Sequence, residues 1–569
     1  MGKDSWQSIR EKLFFLYGKE RAEETLKKLK STLKRYEKKI PVKHYLFTEK
    51  DVVLITYGNA FLKPGEKPLQ TLSRFCSKYL KGIFSTIHVL PFFPYSSDDG
   101  FSVIDYKRVN HKLGSWRDID RLGAQFELMF DAVINHISKE SREFKGFRNG
   151  DERYAEYFIV TDEKWDLSRV FRPRALPLLT EFETKMGKKN VWTTFSADQI
   201  DLNFSNPDVL LFIIDVLLFY ISHGASIIRM DAIAYLWKES GTSCLHLPQT
   251  HIVVKLFRDI LDRSAPHVKI ITETNVPHKE NISYFGKGND EAHVVYNFAL
   301  PPLSAHALIT GDAKSLSLWV RSLDLPGSDT FFYNFTASHD GIGMLPATDL
   351  ISLQEIEDLA EYTVDRGGKL GYKNNPDGTK TVYELNISLF DLLSDPASEE
   401  PIERKVQRFV ASQAIALSLK GIPAIYYHSL VGSQNYYDGV RKTGMNRSIN
   451  REKLSIVKLE EELATSGSRR NLVFEKLSHL IKVRAQHPAF HPEGEQRVLE
   501  LHENVFVIER HAPSNDEQIL ALINCSGKTV ELEAEELHGR DALTRREYSG
   551  RIGLEPFGIL WLQQSPRNS

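Results

Sequence analysis

Two carboxylates at the ends of successive apolar runs are the residues of this chain best suited to chemistry. Asp231 closes the run Ile228-Arg229-Met230-Asp231, and Glu273 closes Ile270-Ile271-Thr272-Glu273. An unpaired charge at the end of a buried strand is costly, but Arg229 would point to the same side as Asp231 and hold it ionised. Two carboxyl groups about 5 Å apart can cleave a glycosidic bond with retention, one as nucleophile and one as acid/base. Taken singly, each could instead form a structural ion pair.

Further polar residues follow other apolar runs in the same way. Asp131, Asn135 and His136 come after one such run, and His339 and Asp340 come after another. In a (β/α)8 barrel the carboxyl ends of all strands meet on one face, where the active site lies. We therefore expect these side chains to gather there with the two carboxylates.

Alternating strand and helix patterns supply the scaffold that this convergence requires. The apolar runs predict strands at 51–57, 86–90, 127–132, 226–230, 269–272 and 330–335. Helical periodicity between these runs predicts helices at 69–80, 116–122, 207–222 and 250–264. Strands apolar on both faces favour a parallel sheet covered by helices. An open doubly wound sheet is the rival, but it calls for a glycine-rich phosphate turn after its first strand, which the sequence lacks.

The chain divides into three parts by these patterns. Residues 1–50 form a helical arm, 51–490 form a (β/α)8 barrel, and 491–569, rich in short alternating strands, form a C-terminal antiparallel β-sandwich. Two excursions interrupt the barrel at 137–200, as a small inserted domain, and at 345–400. The second carries a turn signal at 374–378.

Four motifs in order resemble those of glycoside hydrolase family 13, the α-amylase family. They are Asp131-Ala132-Val133-Ile134-Asn135-His136, Arg229-Met230-Asp231-Ala232, Glu273 and His339-Asp340, with an additional motif at Gln199-Ile200-Asp201-Leu202-Asn203. The resemblance covers about residues 51–565 and implies a (β/α)8 catalytic barrel.

The resemblance also implies a role for each residue of these motifs. Asp231 would be the nucleophile, Glu273 the acid/base, and Asp340 the carboxylate that stabilises the transition state. Substrate-binding residues would be Asp98, His136, Gln199, Arg229, Tyr235, Asn275, His339 and Arg447. Carboxylates aimed at the positive charge that develops on the sugar favour the transition state over the substrate.

Further segments are similar to the sucrose phosphorylase subgroup of this family. Among them are Leu90-Pro91-Phe92-Phe93-Pro94, Asp98-Asp99-Gly100-Phe101, Phe171-Arg172-Pro173-Arg174 and His339-Asp340-Gly341-Ile342-Gly343. The subgroup implies inorganic phosphate as co-substrate, α-D-glucose 1-phosphate as product, and no cofactor or metal ion. Arg172 and Arg174 are candidates for binding phosphate or an acid group, since a guanidinium suits a phosphate dianion.

The chain departs from sucrose phosphorylases after the acid/base, where they have Val-His and this sequence has Thr274-Asn275. This departure, the helical arm and the second excursion look more like glucosylglycerate phosphorylases, which implies 2-O-α-D-glucosylglycerate as substrate. Sucrose, sucrose 6-phosphate and glucosylglycerol stay open as substrates, as do water or a sugar as acceptor. A non-catalytic relative would lack one of the three carboxylates, and all three are present.

Composition restricts the partners. Lys plus Arg number 73 against 75 for Asp plus Glu, which gives no sign of nucleic acid or an anionic membrane as partner. The three cysteines form no CxxC or Cys/His cluster. No apolar run approaches a membrane span, and residues 1–6 lack the apolar core of a signal peptide. We expect a cytoplasmic enzyme of small-molecule substrates, with homo-oligomerisation open.

Overall fold

The computed structural model describes residues 5–174, 176–374 and 379–564, without the side chain of Asn374. Its centre is a closed barrel of eight parallel strands. In chain order these are β1 (Val53–Thr56), β2 (Thr86–Val89), β3 (Glu127–Val133), β4 (Ala225–Asp231), β5 (Lys269–Thr272), β6 (Val294–Tyr296), β7 (Phe331–Phe335) and β8 (Ile422–Tyr426). Strand β1 pairs with both β2 and β8, which closes the barrel. The barrel prediction is confirmed, and closure excludes the doubly wound sheet.

The barrel strands are apolar because they are buried on both faces. Every residue of β4 is buried, and so is every residue of β1, β2, β5 and β7. Sequence patterns missed β6 and β8. Strand β6 has only three residues, and β8 contains Pro423, which removes one backbone donor from the pattern expected of a central strand.

Helices follow the strands around the outside of the barrel. The main ones are Pro68–Phe75, Trp116–Gly123, Pro207–Ser222, Pro248–Ser264, Leu300–Thr310, Lys314–Arg321, Ile402–Ser418, Ile456–Ala464 and Arg469–Arg484. The helix expected at 69–80 is α-helical only to Phe75 and continues as a π-helix over Cys76–Leu80. The predicted span 207–222 is reproduced, with Asn206 capping its first turn.

The N-terminal arm is one long helical element, Ser5–Tyr36, with a break at Gly18, whose φ of 73° is non-helical. It packs on helices Pro207–Ser222 and Pro248–Ser264. Tyr17 donates a hydrogen bond to the carbonyl of Phe204, and Lys12 pairs with Asp259 at 2.6 Å. The arm therefore covers the outer surface of the barrel next to β3 and β4.

The two excursions form small antiparallel sheets. In the first, Leu179–Thr184 and Val160–Thr161 both pair with Gly187–Trp192. In the second, helix Leu353–Asp365 precedes a hairpin of Lys369–Asn374 and Lys380–Asn386, whose second strand also pairs with Ile342–Gly343. Of the turn predicted at 374–378, residues 375–378 lie outside the described residues.

The C-terminal sheet has six antiparallel strands. They are Gln496–His502, Val505–His511, Gln518–Asn524, Val530–Asp541, Glu547–Leu554 and Ile559–Gln564. The strand Glu547–Leu554, rich in charge and glycine, was not foreseen. Val507 and Ile552, from strands far apart in the sheet order, belong to one apolar cluster. The strands thus share one apolar cluster, and the antiparallel β domain predicted for the C-terminal part is confirmed.

Two further features of the described residues bear on the sequence analysis. No helix among them is both long and apolar enough to cross a membrane. Cys76, Cys244 and Cys525 are buried free thiols. The domain limits 1–50, 51–490 and 491–569 stay our proposal for the organisation of the chain.

Candidate active site

A cavity opens at the carboxyl ends of the barrel strands. Asp231, Glu273 and Asp340 all line it. The other predicted site residues that line it are Asp98, His136, Arg174, Gln199, Tyr235, Asn275, His339 and Arg447. Arg229 lies beneath the cavity and Arg172 outside its lining. The structure thus brings together residues that are up to 349 positions apart, from Asp98 to Arg447.

Asp231 is held by Arg229, a buried arginine two residues before it on the same strand. Arg229, 1% exposed, places NH1 2.7 Å from Asp231 and 2.6 Å from Asp131, and its Nε donates to the hydroxyl of Tyr296 at 3.0 Å. His88 contacts the other oxygen of Asp131 at 2.7 Å. Burial raises the pKa of Asp231, and the Arg229 charge opposes that rise. This network fixes the carboxylate and favours its ionised form, as a nucleophile requires.

Glu273 faces the same space from the end of β5. Its Oε2 accepts a hydrogen bond from the backbone N–H of Ala232 at 2.9 Å and lies 3.8 Å from Arg229 NH2. Ala232 has a left-handed backbone, with φ of 49°, which turns this N–H toward the neighbouring strand. Burial raises the pKa of Glu273 to about 7, with the negative charges of Asp231 and Asp340 acting in the same direction. Of the two carboxyls, Glu273 is therefore the better proton donor at neutral pH.

Asp340 lies beside two arginines and a histidine. Arg447 NH1 lies 2.5 Å from it, His339 Nε2 3.5 Å and Arg451 3.9 Å. Burial alone would raise the pKa of Asp340, but His339, which becomes charged only in the acid range, and the permanently charged Arg447 and Arg451 hold it well below its usual range. Asp340 is thus a permanent anion in the wall of the cavity.

Glu384 keeps Arg447 in place from the other side. Its carboxylate accepts from Arg447 NH2 at 2.7 Å and from the backbone N–H of Gly341 at 3.1 Å. A Cβ on Gly341 would lie 2.4 Å from Glu384 Cγ, so the glycine permits the contact. Sequence reasoning missed Glu384 because it belongs to the second excursion, where its strand shows only ordinary alternation.

Phe101 joins several polar residues of the site. Its carbonyl accepts hydrogen bonds from His136 Nε2 at 2.9 Å and Gln199 Nε2 at 3.2 Å, and its ring stacks on His339 with centroids 4.8 Å apart. Burial lowers the pKa of His339 to about 3 and also lowers that of His136. Both imidazoles are therefore neutral at pH 7 and suited to hydrogen-bonding hydroxyl groups. Only the segment 98–101 pointed to Phe101 in the sequence.

A second group of polar residues lines the cavity from loops. Arg174 lies over the ring of Phe195, and its nearest carboxylate is Asp98, 3.6 Å away. Asn275 Nδ2 lies 3.5 Å from the hydroxyl of Tyr383, and Asn275 Oδ1 is buried with no hydrogen-bond partner among the described atoms. Arg172 is exposed and donates to the carbonyl of Leu176 instead. The geometry thus separates the two arginines that the sequence presented as equivalent.

A lysine stands beside Asn135, the asparagine of the first motif. Lys238 Nζ lies 2.8 Å from Asn135 Oδ1 and 2.6 Å from Asp201 Oδ2. The oxygens that a hard cation would take as ligands are thus bound to an ammonium group. Across the described part of the chain, no group of three or more His, Cys, Asp or Glu side chains is arranged to hold a metal ion.

Comparison with known proteins identifies the family of this site. Residues 77–322 match the model of the α-amylase catalytic domain. The chain is 50% identical to glucosylglycerate phosphorylase of Spirochaeta thermophila over 525 residues, covering 91% of this chain and 89% of that protein. It is 46% identical to glucosylglycerate phosphorylase of Allomeiothermus silvanus, with 98% of each chain covered.

The chain belongs to the glucosylglycerate phosphorylase family. The membership of the α-amylase family expected from the sequence is confirmed with it. Sucrose 6(F)-phosphate phosphorylase of Thermoanaerobacterium thermosaccharolyticum is more distant, at 28% identity over 78% of this chain and 89% of that protein.

A solved crystal structure has the same fold as this chain. The crystal structure of sucrose 6F-phosphate phosphorylase from Thermoanaerobacter thermosaccharolyticum superposes with a TM-score of 0.74 over 91% of this chain and 99% of that one, at 24% identity. At that identity the likeness supports the architecture alone.

Proposed function

We propose that this protein transfers the glucosyl unit of 2-O-α-D-glucosylglycerate to inorganic phosphate with retention, giving α-D-glucose 1-phosphate and D-glycerate. The observation that carries the proposal is the joint presence of Asp231, Glu273 and Asp340 in the wall of one cavity, in a chain 50% identical to a glucosylglycerate phosphorylase. No further cofactor is needed, because phosphate itself is the co-substrate.

The mechanism assigns one role to each carboxylate. Asp231 attacks the anomeric carbon while Glu273 gives its proton to the glycerate oxygen, which leaves a glucosyl ester on Asp231. Glu273, now deprotonated, takes up a proton from phosphate as a phosphate oxygen attacks the anomeric carbon from the side opposite to Asp231, which breaks the ester bond and frees the Asp231 carboxylate. Two inversions give overall retention. Asp340, anionic beside the anomeric carbon, stabilises the positive charge that develops in both transition states.

The cavity divides into two sides under this proposal. The glucosyl side holds the sugar hydroxyls and consists of Asp98, Asp340 and Arg447, with neutral His136 and His339. The acceptor side receives glycerate or phosphate and consists of Arg174, Asn275 and Tyr383. Arg174 is the natural partner of an acidic acceptor because its only nearby carboxylate among the described residues is 3.6 Å away, too far for a strong hydrogen bond.

The test is phosphorolysis measured in parallel on four substrates. Purified enzyme with phosphate is given glucosylglycerate, sucrose, sucrose 6-phosphate or glucosylglycerol, and α-D-glucose 1-phosphate is quantified. We expect the highest kcat/KM with glucosylglycerate. Free glucose released at the same rate with and without phosphate would contradict the proposal and assign a hydrolase.

A further inference from the structure

The turn that presents Asp98 to the cavity is a strained piece of backbone. Asp98 and Asp99 have φ of 52° and 53°, and Gly100 follows with φ of 123°. Left-handed backbone costs conformational free energy in residues with a Cβ, although aspartate tolerates it better than most. Such a run persists only where its surroundings hold it.

The glycine of this turn shows how closely it is packed. A Cβ at Gly100 would lie 2.6 Å from the carbonyl oxygen of Pro91. Phe101, directly after it, carries the carbonyl to which His136 and Gln199 bind. A small rotation of the turn would therefore displace both Asp98 and the hydrogen bonds around Phe101.

Lys453 contacts the turn through the side chain of Asp99. Its Nζ donates to Asp99 Oδ2 at 2.8 Å and lies 3.4 Å from the centre of the Tyr57 ring. The backbone beside it is anchored, because Leu454–Ser455 pairs with Phe61–Leu62 and Leu454 N donates to the carbonyl of Ala60. Lys453 is thus a fixed cation, and Asp99 is its hydrogen-bonded carboxylate.

We propose that Lys453 is a positioning residue: through Asp99 it holds the left-handed turn that keeps Asp98 directed at the bound glucosyl ring. Neither Lys453 nor Asp99 lines the cavity. The inference rests on the proposed function only in requiring that a glucosyl unit binds there.

Lys453 is also the group of this cluster that changes charge in mildly alkaline solution. Burial lowers its pKa to about 8, and Asp99 opposes this. The pKa of Arg451 is raised, and those of Tyr57, Tyr426 and Tyr427 lie well above 10, while that of His428 lies well below 6.5. These neighbours and the carboxylate of Asp98, whose pKa is lowered, keep their charge between pH 7 and 9. As the pH rises through about 8, Lys453 loses its proton and the turn loses its ion pair.

The experiment uses α-D-glucosyl fluoride as donor. Fluoride leaves without a proton from Glu273, so kcat/KM for this donor is free of the titration of the acid/base. The reaction needs neither glycerate nor phosphate, because water then accepts the glucosyl unit and glucose and fluoride are released. An enzyme that transfers from the fluoride but not from glucosylglycerate would refute the proposed function and leave this test intact.

We expect kcat/KM of the wild type to fall through a midpoint near pH 8. Lys453→Met should lower kcat/KM at pH 7 about tenfold, mainly through a higher KM, and abolish that alkaline step. Lys453→Arg should keep activity and move the step beyond pH 9. Asp99→Asn should resemble Lys453→Met, and the double variant should lose no more than either single one.

The matched control is Lys269→Met. Lys269 is buried and pairs with Asp329 at 2.7 Å at the opposite end of the barrel. We expect a lower Tm but an unchanged alkaline step. An unchanged KM and pH profile in folded Lys453→Met, as judged by its Tm, would overturn the proposal, and so would additive losses in the double variant.

Discussion

The two sides of the cavity are built differently. On the glucosyl side the charged groups are already paired: Asp340 with Arg447, Arg447 with Glu384, and Asp231 with Arg229. On the acceptor side Arg174 has only a distant carboxylate, and Asn275 Oδ1 has no partner among the described atoms. Charged side chains that already form ion pairs before the substrate binds need little reorganisation to stabilise a transition state. Arg174 and Asn275, which lack a close partner among the described atoms, are therefore the groups available to bind the acceptor.

The largest effect should come from removing the nucleophile on the glucosyl side. Asp231→Asn cannot form the glucosyl ester, so kcat should fall on the order of 10⁴-fold or more. Steady-state phosphorolysis of glucosylglycerate measures this. Asp259→Asn, which breaks only the pair with Lys12 of the arm, should leave kcat unchanged. Near-normal turnover by Asp231→Asn would contradict the assignment of Asp231 as the nucleophile.

The next effect should come from the acid/base. In the wild type, kcat/KM for glucosylglycerate should fall as the pH rises through about 7, because Glu273 must carry a proton when glycerate leaves. It should also fall in acid as Asp231, whose pKa is raised, becomes protonated. The result is a bell-shaped pH profile.

Glu273→Gln tests the same residue directly. It should lose about 10³-fold with glucosylglycerate and abolish the limb near pH 7, but react with α-D-glucosyl fluoride far more nearly at the wild-type rate. Survival of the limb near pH 7 in the variant would assign that limb to another group, whereas the step near pH 8 that we assign to Lys453 should remain.

A smaller effect should follow on the acceptor side. Arg174→Met should reduce kcat/KM for glycerate, measured in synthesis from α-D-glucose 1-phosphate, by about 10- to 30-fold through the loss of a charge-assisted hydrogen bond. Hydrolysis of α-D-glucosyl fluoride should be unaffected. Arg172→Met is the matched variant and should behave as wild type, because that guanidinium is directed at Leu176. Equal losses in both variants would contradict the distinction between the two arginines.

The smallest effect should come from Asn275. Asn275→Ala should raise KM for glycerate about threefold, since one neutral hydrogen bond is lost. Gly343→Ala offers an independent check, because its Cβ would lie 2.5 Å from Asn275 Oδ1 and displace the amide. We expect a similar rise in KM for glycerate and little change with the fluoride donor. A rise in KM only for the fluoride donor would contradict this placement and indicate that Asn275 binds the glucosyl unit.

The sequence predicted the glucosyl side better than the acceptor side, for a physical reason. Asp231, Glu273 and Asp340 lie at or after the ends of barrel strands. Side chains alternate between the two sides of a strand, and all barrel strands end on the same face of the barrel, so the sequence indicates where these side chains lie. On the acceptor side, Arg174 and Tyr383 lie on the two excursions, outside the barrel strands, and so does Glu384, which supports Arg447 on the glucosyl side. Their placement depends on how the loops pack, as at Gly341 and Gly343, where a missing Cβ admits Glu384 and Asn275.

The same contrast holds for the fold. Strands of four or more residues with continuous burial, such as β4 and β7, were predicted to within one residue at each end. The three-residue β6 and the proline-containing β8 had too little pattern of their own and are defined by their neighbours in the closed barrel.

The most direct test of the account is to trap the glucosyl-enzyme. Glu273→Gln is mixed with α-D-glucosyl fluoride, which can load the nucleophile, while removal of the ester is slowed by loss of the base. The protein is then digested and its peptides are analysed by mass spectrometry. We expect one glucosyl unit on the peptide that contains Asp231. A glucosyl unit on another residue, or none under conditions where fluoride is released, would contradict the mechanism.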